Sequence, residues 1–183
     1  MKMTNVPRAE GAAKRWGLSV LLLLGLVAAG CQQQPEQPEQ KAAPLASTVH
    51  TGDPQLSGQL LSGFYGIEQG AWRWTAQSFS VRLHPPAGTA QTGANLAFAF
   101  TIPDSMIQKL KTVTLSAEIA GTALAPETYS KGGAYTYKRE VAANLLTGDA
   151  VRVDFKLDKS QPPSGGDQRQ LGIVAGSFGL VPK

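Results

Sequence analysis

The side chains best suited to ligand chemistry lie in the triplet Trp72-Arg73-Trp74. Successive side chains of a β-strand point to opposite faces, so a strand here would place the two indoles on one face and the guanidinium on the other. Two exposed indoles about 7 Å apart would form a platform on which the C–H faces of sugar rings stack. If that face points inward the indoles belong to the hydrophobic core, and this is the expectation for at least one of them.

Charged side chains that could accompany the indoles are Glu68, Arg73, Asp167 and Arg169. Carboxylates accept hydrogen bonds and a guanidinium donates a rigid fork of them, which is how proteins bind polyols. The alternative is that Asp167 and Arg169 pair with each other or with the loop backbone and position the last strand. The second interpretation is favoured, because loop ion pairs are common.

Residues typical of catalysis or metal binding are sparse. His50 lies near the N-terminal linker and His84 precedes two prolines, and neither has an evident partner for acid–base or metal chemistry. The chain has no Gly-x-Ser-x-Gly elbow, no phosphate-binding glycine loop and no His/Cys spacing typical of metal sites. Asp149 and Asp154 stay open as a glycosidase pair, although strand alternation predicts a solvent-facing Asp154. The sequence therefore predicts a non-enzyme with no metal and no cofactor.

Alternation of apolar and polar residues predicts the strands that position these side chains. The clearest is VRVDFKLD at 151–158, and residues 113–119 alternate in the same way. Residues 95–102, NLAFAFTI, are apolar at both parities, which predicts a central strand covered on both sides. Only 104–110 looks helical. Roughly eight short strands predict an all-β fold over 56–183, an antiparallel β-sandwich of jelly-roll or immunoglobulin-like type, with a closed barrel as the alternative.

The N-terminal segment predicts export. Lys14 and Arg15 precede an apolar run at 18–30, which is shorter than the roughly 18 residues that a membrane-spanning helix needs. Small residues then lead to Cys31 in the sequence AAGC, and this is the single cysteine of the chain. The pattern resembles the lipobox of bacterial lipoproteins, in which the cysteine carries a diacylglyceryl lipid. The resemblance implies that 1–30 is a cleaved signal peptide; an ordinary secretory leader and an uncleaved anchor are the alternatives.

The residues after Cys31 predict a disordered tether. The composition over 32–55 changes to Gln, Pro, Glu, Ala and Ser, beginning QQQPEQPEQKAAP, and so little apolar surface cannot offset the entropy of ordering. Removal of 1–30, with its four basic residues and one acidic residue, lowers the net charge from +4 to +1. No basic block suited to nucleic acid remains.

Two stretches carry a further resemblance. The first contains GFY at 63–65, Glu68 and WRWT at 72–75, and the second is DQRQLGI at 167–173. Together they resemble a group of bacterial β-sandwich domains, similar to galactose-binding-like and carbohydrate-binding modules, that occur in exported proteins or attached to glycosyltransferases. The resemblance covers about 60–181. It implies a non-catalytic module near saccharide chemistry, and no ligand residue is transferred from it.

Seven residues are therefore candidate ligand contacts: Tyr65, Glu68, Trp72, Arg73, Trp74, Asp167 and Arg169. The preferred hypothesis is a lipid-anchored extracytoplasmic module that binds an envelope saccharide without altering it. The alternatives are a structural or assembly lipoprotein that docks on another envelope protein, and a hydrolase with an unrecognised site. The predicted location is the cell envelope. The resemblance to bacterial lipoproteins implies the outer membrane where two membranes exist, since a non-acidic residue, Gln32, follows Cys31.

Overall fold

The computed structural model describes residues 44–183; the predicted signal peptide, Cys31 and the first part of the predicted tether lie outside the described residues. The described part contains nine strands: β1 Thr48–His50, β2 Leu60–Glu68, β3 Trp72–Leu83, β4 Ala94–Ile102, β5 Val113–Ile119, β6 Thr122–Tyr129, β7 Gly133–Val141, β8 Val151–Leu157 and β9 Val174–Pro182. It also contains the short helices α1 Thr89–Thr92 and α2 Asp104–Leu110, and 3₁₀ turns at Pro54–Gln59 and Ala143–Leu145. The predicted all-β antiparallel class is confirmed.

The strands form one antiparallel sheet in the order β6-β5-β8-β3-β9-β4-β7, with β2 paired to β3 and β1 paired to β9. The long strand β3 divides this sheet into two layers. Its first residues, Arg73 and Trp74, pair with β9, whereas its last six residues pair with β8. The two layers face each other across the core, where the rings of Phe98 on β4 and Phe155 on β8 lie 5.1 Å apart.

Four phenylalanines from four strands form the centre of the core. Phe79 stacks on Phe155 within one layer, and Phe98 stacks on Phe178 within the other. All four side chains are at most 2% exposed. Burial of each side chain contributes about 1.5–3 kcal/mol to stability, so this cluster holds the layers together. The alternation predicted for β8 is confirmed, since its apolar residues are buried and its charged residues face outward.

Strand β4 lies inside the sheet, because it pairs with β7 on one side and β9 on the other, but it is next to the edge strand β7 rather than in the middle as predicted. The prediction that both of its faces are covered is wrong. Leu96 and Phe98 are fully buried, whereas Ala97 and Ala99 on the other face are half-buried. Alanine is apolar in the sequence pattern but buries little surface, so apolar residues at both parities did not require a second covered face.

Part of the predicted tether is folded. Residues 48–50 form β1 on β9, with Val49 fully buried, and the buried Thr51 hydroxyl donates to the carbonyl of Ala175 at 2.6 Å. The Gln59 amide bonds both the N–H and the C=O of Ala46. The disorder predicted up to residue 55 is therefore wrong from at least residue 46, because backbone pairing and one buried valine compensate the ordering entropy.

The two edge strands of the sheet, β6 and β7, contact each other through side chains. Within residues 44–183 they are not paired with each other by backbone hydrogen bonds. Tyr137 donates its hydroxyl hydrogen to the carbonyl of Ala125 at 2.8 Å, and Arg139 donates from Nε to the same oxygen at 2.6 Å. Arg139 also donates from Nη2 to Glu127 at 2.9 Å. The fold is therefore a sandwich whose edges approach a barrel-like closure.

Candidate functional site

An open groove crosses the outer face of the layer formed by β3, β9, β4 and β7. Trp74 lies opposite Val174, Val174 opposite Thr101, and Thr101 opposite Ala134. Directly opposed residues of antiparallel strands point their side chains to the same face, so this row is continuous across four strands. The groove has a volume of about 410 Å³ and is lined by Trp72, Ala99, Phe100, Thr101, Ala134, Tyr135, Thr136, Val174 and Gly176.

Small residues form the floor of the groove. Ala99, Ala134 and Gly176 come from three neighbouring strands and raise almost no side chain above the backbone. Thr101 and Thr136 add hydroxyl groups that donate and accept hydrogen bonds. A low floor with an indole at one end and hydroxyls along it accommodates a flat, partly apolar, hydroxylated molecule.

The sequence left open whether Trp72 and Trp74 lie in the core or face solvent, and the structure shows that the two side chains differ. Their ring centroids are 6.1 Å apart with an interplanar angle of 81°, so the rings meet edge to face. Trp74 packs against the buried core, as expected for one of the pair, and Trp72 lines the groove. The less favoured alternative, a flat platform of two exposed indoles, does not form, because perpendicular rings present a single stacking surface. Trp74 instead braces Trp72.

A charged cluster borders the groove beside Trp72. Glu68 lies directly opposite Trp72 in the β2–β3 register and points to the same face. Arg169 donates from Nη1 to Glu68 Oε1 at 2.7 Å and from Nη2 to Asp167 Oδ2 at 2.8 Å. Tyr65 lies below it, with its ring centroid 5.2 Å from the Arg169 guanidinium carbon. Four of the seven predicted contact residues therefore meet in one cluster beside the fifth, Trp72.

The charged cluster favours the ionised form of the Asp167 carboxyl group. The Arg169 side chain, and then the Arg169 backbone N–H at 2.9 Å, hold the pKa of Asp167 at about 2. The side-chain hydrogen bonds to Asp167 and then to Glu68 raise the pKa of Arg169 further above its ordinary value. Asp167 and Arg169 thus pair with each other, as the favoured sequence interpretation expected, and Arg169 additionally reaches Glu68 across 101 residues of sequence.

Arg73 does not join the charged cluster. Its guanidinium donates to the Thr51 carbonyl at 2.8 Å, the Tyr65 carbonyl at 3.0 Å and the Ser57 hydroxyl at 2.8 Å. The hypothesis that Arg73 converges with Glu68 and the loop is therefore wrong. The reason is strand alternation, which directs Arg73 away from the face that carries the tryptophans. Its role in this structure is to tie β3 to β2 and to the segment after β1.

The structure adds His50 to the face of the groove. His50 pairs with Ser177, which pairs with Ala99 on the groove floor, and its side chain is exposed. Sequence analysis placed His50 near the linker, because a three-residue strand gives almost no periodic signal. Its partners are more than 120 residues away, so only the fold brings it to this surface.

No protein-family model matches this chain, and no curated protein matches it. A similar solved structure is titled "CBM4 structure and function"; it is 12% identical, covers 74% of this chain and 85% of its own, and has a TM-score of 0.34. The likeness identifies no family. The groove and its charged rim are properties that this chain shows by itself.

The catalytic candidates considered in the sequence lie apart from the groove lining. His84 Nδ1 is 2.8 Å from the Asp149 carbonyl oxygen, and Arg152 holds Asp154 on the outer face of β8 through Nη2 at 2.7 Å. Asp154 is solvent-exposed, as predicted. Within residues 44–183 no group of three or more His, Cys, Asp or Glu side chains is arranged to hold a metal ion.

Proposed function

We propose that this protein is a membrane-anchored extracytoplasmic module that binds a saccharide of the cell envelope in the outer groove without altering it chemically. The observation that carries the proposal is the position of Trp72, whose indole borders an open groove with a floor of small residues. Sugar rings have apolar C–H faces that pack on aromatic faces, while their hydroxyls require polar partners. Thr101 and Thr136 supply such partners within the groove.

The dimensions of the groove support a chain of sugars as the ligand. The groove crosses from β3 to β7 over three strand spacings, which is about 14 Å. The groove is open at its sides, so a linear molecule can lie across the strands. In the direction of the strands, the groove spans the cross-strand rows that include Ala99 and Thr101. A ligand in this position contacts four strands without entering the core.

The proposed anchor is a lipid on Cys31, and it is supported by the basic start, the apolar run and the AAGC sequence before the Gln/Pro-rich segment. Among the described residues no helix is long and apolar enough to cross a membrane. Metabolic labelling with a palmitate analogue tests the anchor. We expect label on the wild-type protein in the membrane fraction and none on Cys31→Ser; equal labelling of both proteins would contradict it.

Affinity electrophoresis through gels that contain envelope polysaccharides tests the binding itself. We expect Trp72→Ala to weaken retardation at least about tenfold in affinity, equivalent to about 1.4 kcal/mol. Ala134→Trp fills the groove and should abolish binding. The matched control is Ala123→Trp, the same substitution at an exposed position on β6 in the other layer.

The Ala123→Trp control distinguishes filling of the groove from a general effect of adding an indole to the protein surface. Loss of binding in Ala134→Trp with normal binding in Ala123→Trp supports the outer groove as the site. Equal binding by both variants would place the ligand elsewhere and contradict the proposal. Absence of retardation by every envelope polysaccharide and on a glycan array would remove the saccharide-binding function.

A further inference from the structure

The charge balance at the Trp72 end of the groove restricts the class of saccharide, an inference that rests on the proposed function. Two carboxylates, Glu68 and Asp167, share the single guanidinium of Arg169. Arg169 bonds both oxygens of Asp167, from Nε to Oδ1 at 3.0 Å and from Nη2 to Oδ2 at 2.8 Å. The three side chains together carry one net negative charge.

The uncompensated charge lies on Glu68. Glu68 receives one hydrogen bond, from Arg169 Nη1 to Oε1 at 2.7 Å, and within residues 44–183 its Oε2 has no hydrogen-bond partner. The side chain is 33% exposed, so a ligand can reach the Glu68 carboxylate. Asp167 already has both oxygens occupied, so Glu68 is the member of the cluster with capacity to accept a further donor.

Trp72 lies beside Glu68. Residues directly opposed in an antiparallel pair have Cβ atoms about 5 Å apart on one face, and Glu68 and Trp72 form such a pair. The face of an indole attracts cations, and a carboxylate forms strong charge-assisted hydrogen bonds with an ammonium group. An indole next to a partly compensated carboxylate is therefore suited to a protonated amine.

Other charged groups near the groove do not cancel this field. Arg73 points to the opposite face and is held by three oxygen atoms. Lys138 lies on β7 opposite Ala97, three strands from β3. The separation of about 14 Å exceeds the screening length of about 8 Å at physiological ionic strength. His50 also lies on this face, opposite Ser177, and Glu140 of β7, opposite Asn95, is paired with Lys183.

We infer that the saccharide bound in the outer groove carries a free amino group, whose ammonium form is held between the indole of Trp72 and the Glu68 carboxylate. An N-acetylated sugar of the same ring and linkage lacks the charge and adds an acyl group at this point. The groove should therefore prefer an amino sugar to its acetylated counterpart.

Titration calorimetry with two matched ligands tests this inference: glucosamine oligomers and N-acetylglucosamine oligomers of equal length, at pH 6 where the free amines are protonated. We expect the wild-type protein to prefer the free amine by about three- to tenfold, and the preference to shrink in high salt. Glu68→Gln keeps the shape of the side chain and should reduce the preference for the free amine to about onefold.

Two controls complete the design. Glu118→Gln alters a carboxylate on β5 in the other layer and should leave the preference unchanged. His50→Gln alters the histidine on the same face and should leave the preference for the free amine in place. The salt dependence of the wild-type protein needs no variant, so the test remains decisive if Glu68→Gln unfolds.

The outcomes separate this inference from the proposed function. Equal or tighter binding of the acetylated oligomer by the wild-type protein, or a preference that is insensitive to both salt and Glu68→Gln, would overturn the amino-sugar inference and leave saccharide binding intact. Absence of binding by both oligomers and by every saccharide on a glycan array would overturn the two proposals together.

Discussion

At the scale of single residues, Trp72 and Trp74 are neighbours that contact different parts of the molecule. Trp74 packs against the core and holds the adjacent ring edge to face, whereas Trp72 borders the groove. We expect Trp74→Ala to lower the free energy of unfolding by about 2–3 kcal/mol, because a large core contact is lost and a cavity remains. Urea unfolding of both alanine variants measures this, and a Trp72→Ala variant as destabilised as Trp74→Ala would contradict the division.

Asp167 provides a prediction on pH. Its pKa is lowered from 3.8 to about 2 by Arg169, so the folded protein binds this proton less readily than the unfolded chain does. The stabilisation is therefore fully present above about pH 4 and is lost as the pH falls through about 2. We expect the melting temperature of the wild-type protein to exceed that of Asp167→Asn at pH 5, with the difference shrinking towards pH 2. A difference that is constant over this range would contradict the assigned pairing.

Much of the residue-scale arrangement follows from local sequence, and the rest depends on distant partners. The shared face of Trp72 and Trp74 and the pairing of Asp167 with Arg169 are two-residue relations, which strand alternation and charge complementarity predict. The contact of Arg169 with Glu68 spans 101 residues, and the position of His50 depends on β9. Ring orientation depends on packing, so the perpendicular indoles could not be predicted.

At the scale of the elements, the seam between β6 and β7 depends on one arginine. Arg139 bonds the carbonyls of Ala125 and Pro126 and the carboxylate of Glu127, and it lies over the ring of Tyr137 at 4.2 Å. Lysine lacks the planar fork that makes these bonds together, so we expect Arg139→Lys to lower the free energy of unfolding by about 1–2 kcal/mol.

The matched control for the seam is Arg82→Lys, an exposed position on β3, where the same exchange should change stability by less than about 0.5 kcal/mol. Hydrogen exchange gives a second measurement, since loosening of the seam should raise exchange in β6 and β7 more than in β8. Equal stability of the two variants would show that the sheet edges are held by other contacts.

Strand β1 provides a test of where the folded part begins. Val49 is fully buried on β9, inside the segment that composition predicted to be disordered. We expect Val49→Ala to lower the free energy of unfolding by about 1–3 kcal/mol, as for other deletions of buried methyl groups. Thermal or urea unfolding measures the change, and His50→Ala on the exposed side of the same strand is the control. A neutral Val49→Ala would mean that β1 adds nothing to the fold.

The elements differ in how readily the sequence reveals them. Strand β8 was predictable because four buried apolar residues alternate with charged ones over seven positions. Strand β1 was missed because three residues between polar neighbours do not establish a period. The division of β3 between two layers was not predictable, since each half alternates normally and only the pairing partners differ.

At the scale of the whole molecule, the two outer faces of the sandwich differ. One layer carries the groove with its small-residue floor, its indole and a rim with one net negative charge. The outer face of the other layer is polar, with Ser78 on β3 and the Arg152–Asp154 ion pair on β8. The proposed saccharide binding therefore uses one face of the sandwich, and the proposed lipid at Cys31 would hold that face near a membrane.

The most direct measurement of the central claim is an NMR titration of the ¹⁵N-labelled Cys31→Ser protein with a saccharide that binds in the gel assay. The indole N–H signals, assigned with Trp72→Phe and Trp74→Phe, report on the groove separately from the core. We expect the Trp72 signal and the backbone amides of Ala99, Thr101 and Thr136 to shift, and the amides of β8 to stay unchanged. Shifts confined to β8 and β5, or an unmoved Trp72 signal at saturating ligand, would contradict binding in the outer groove.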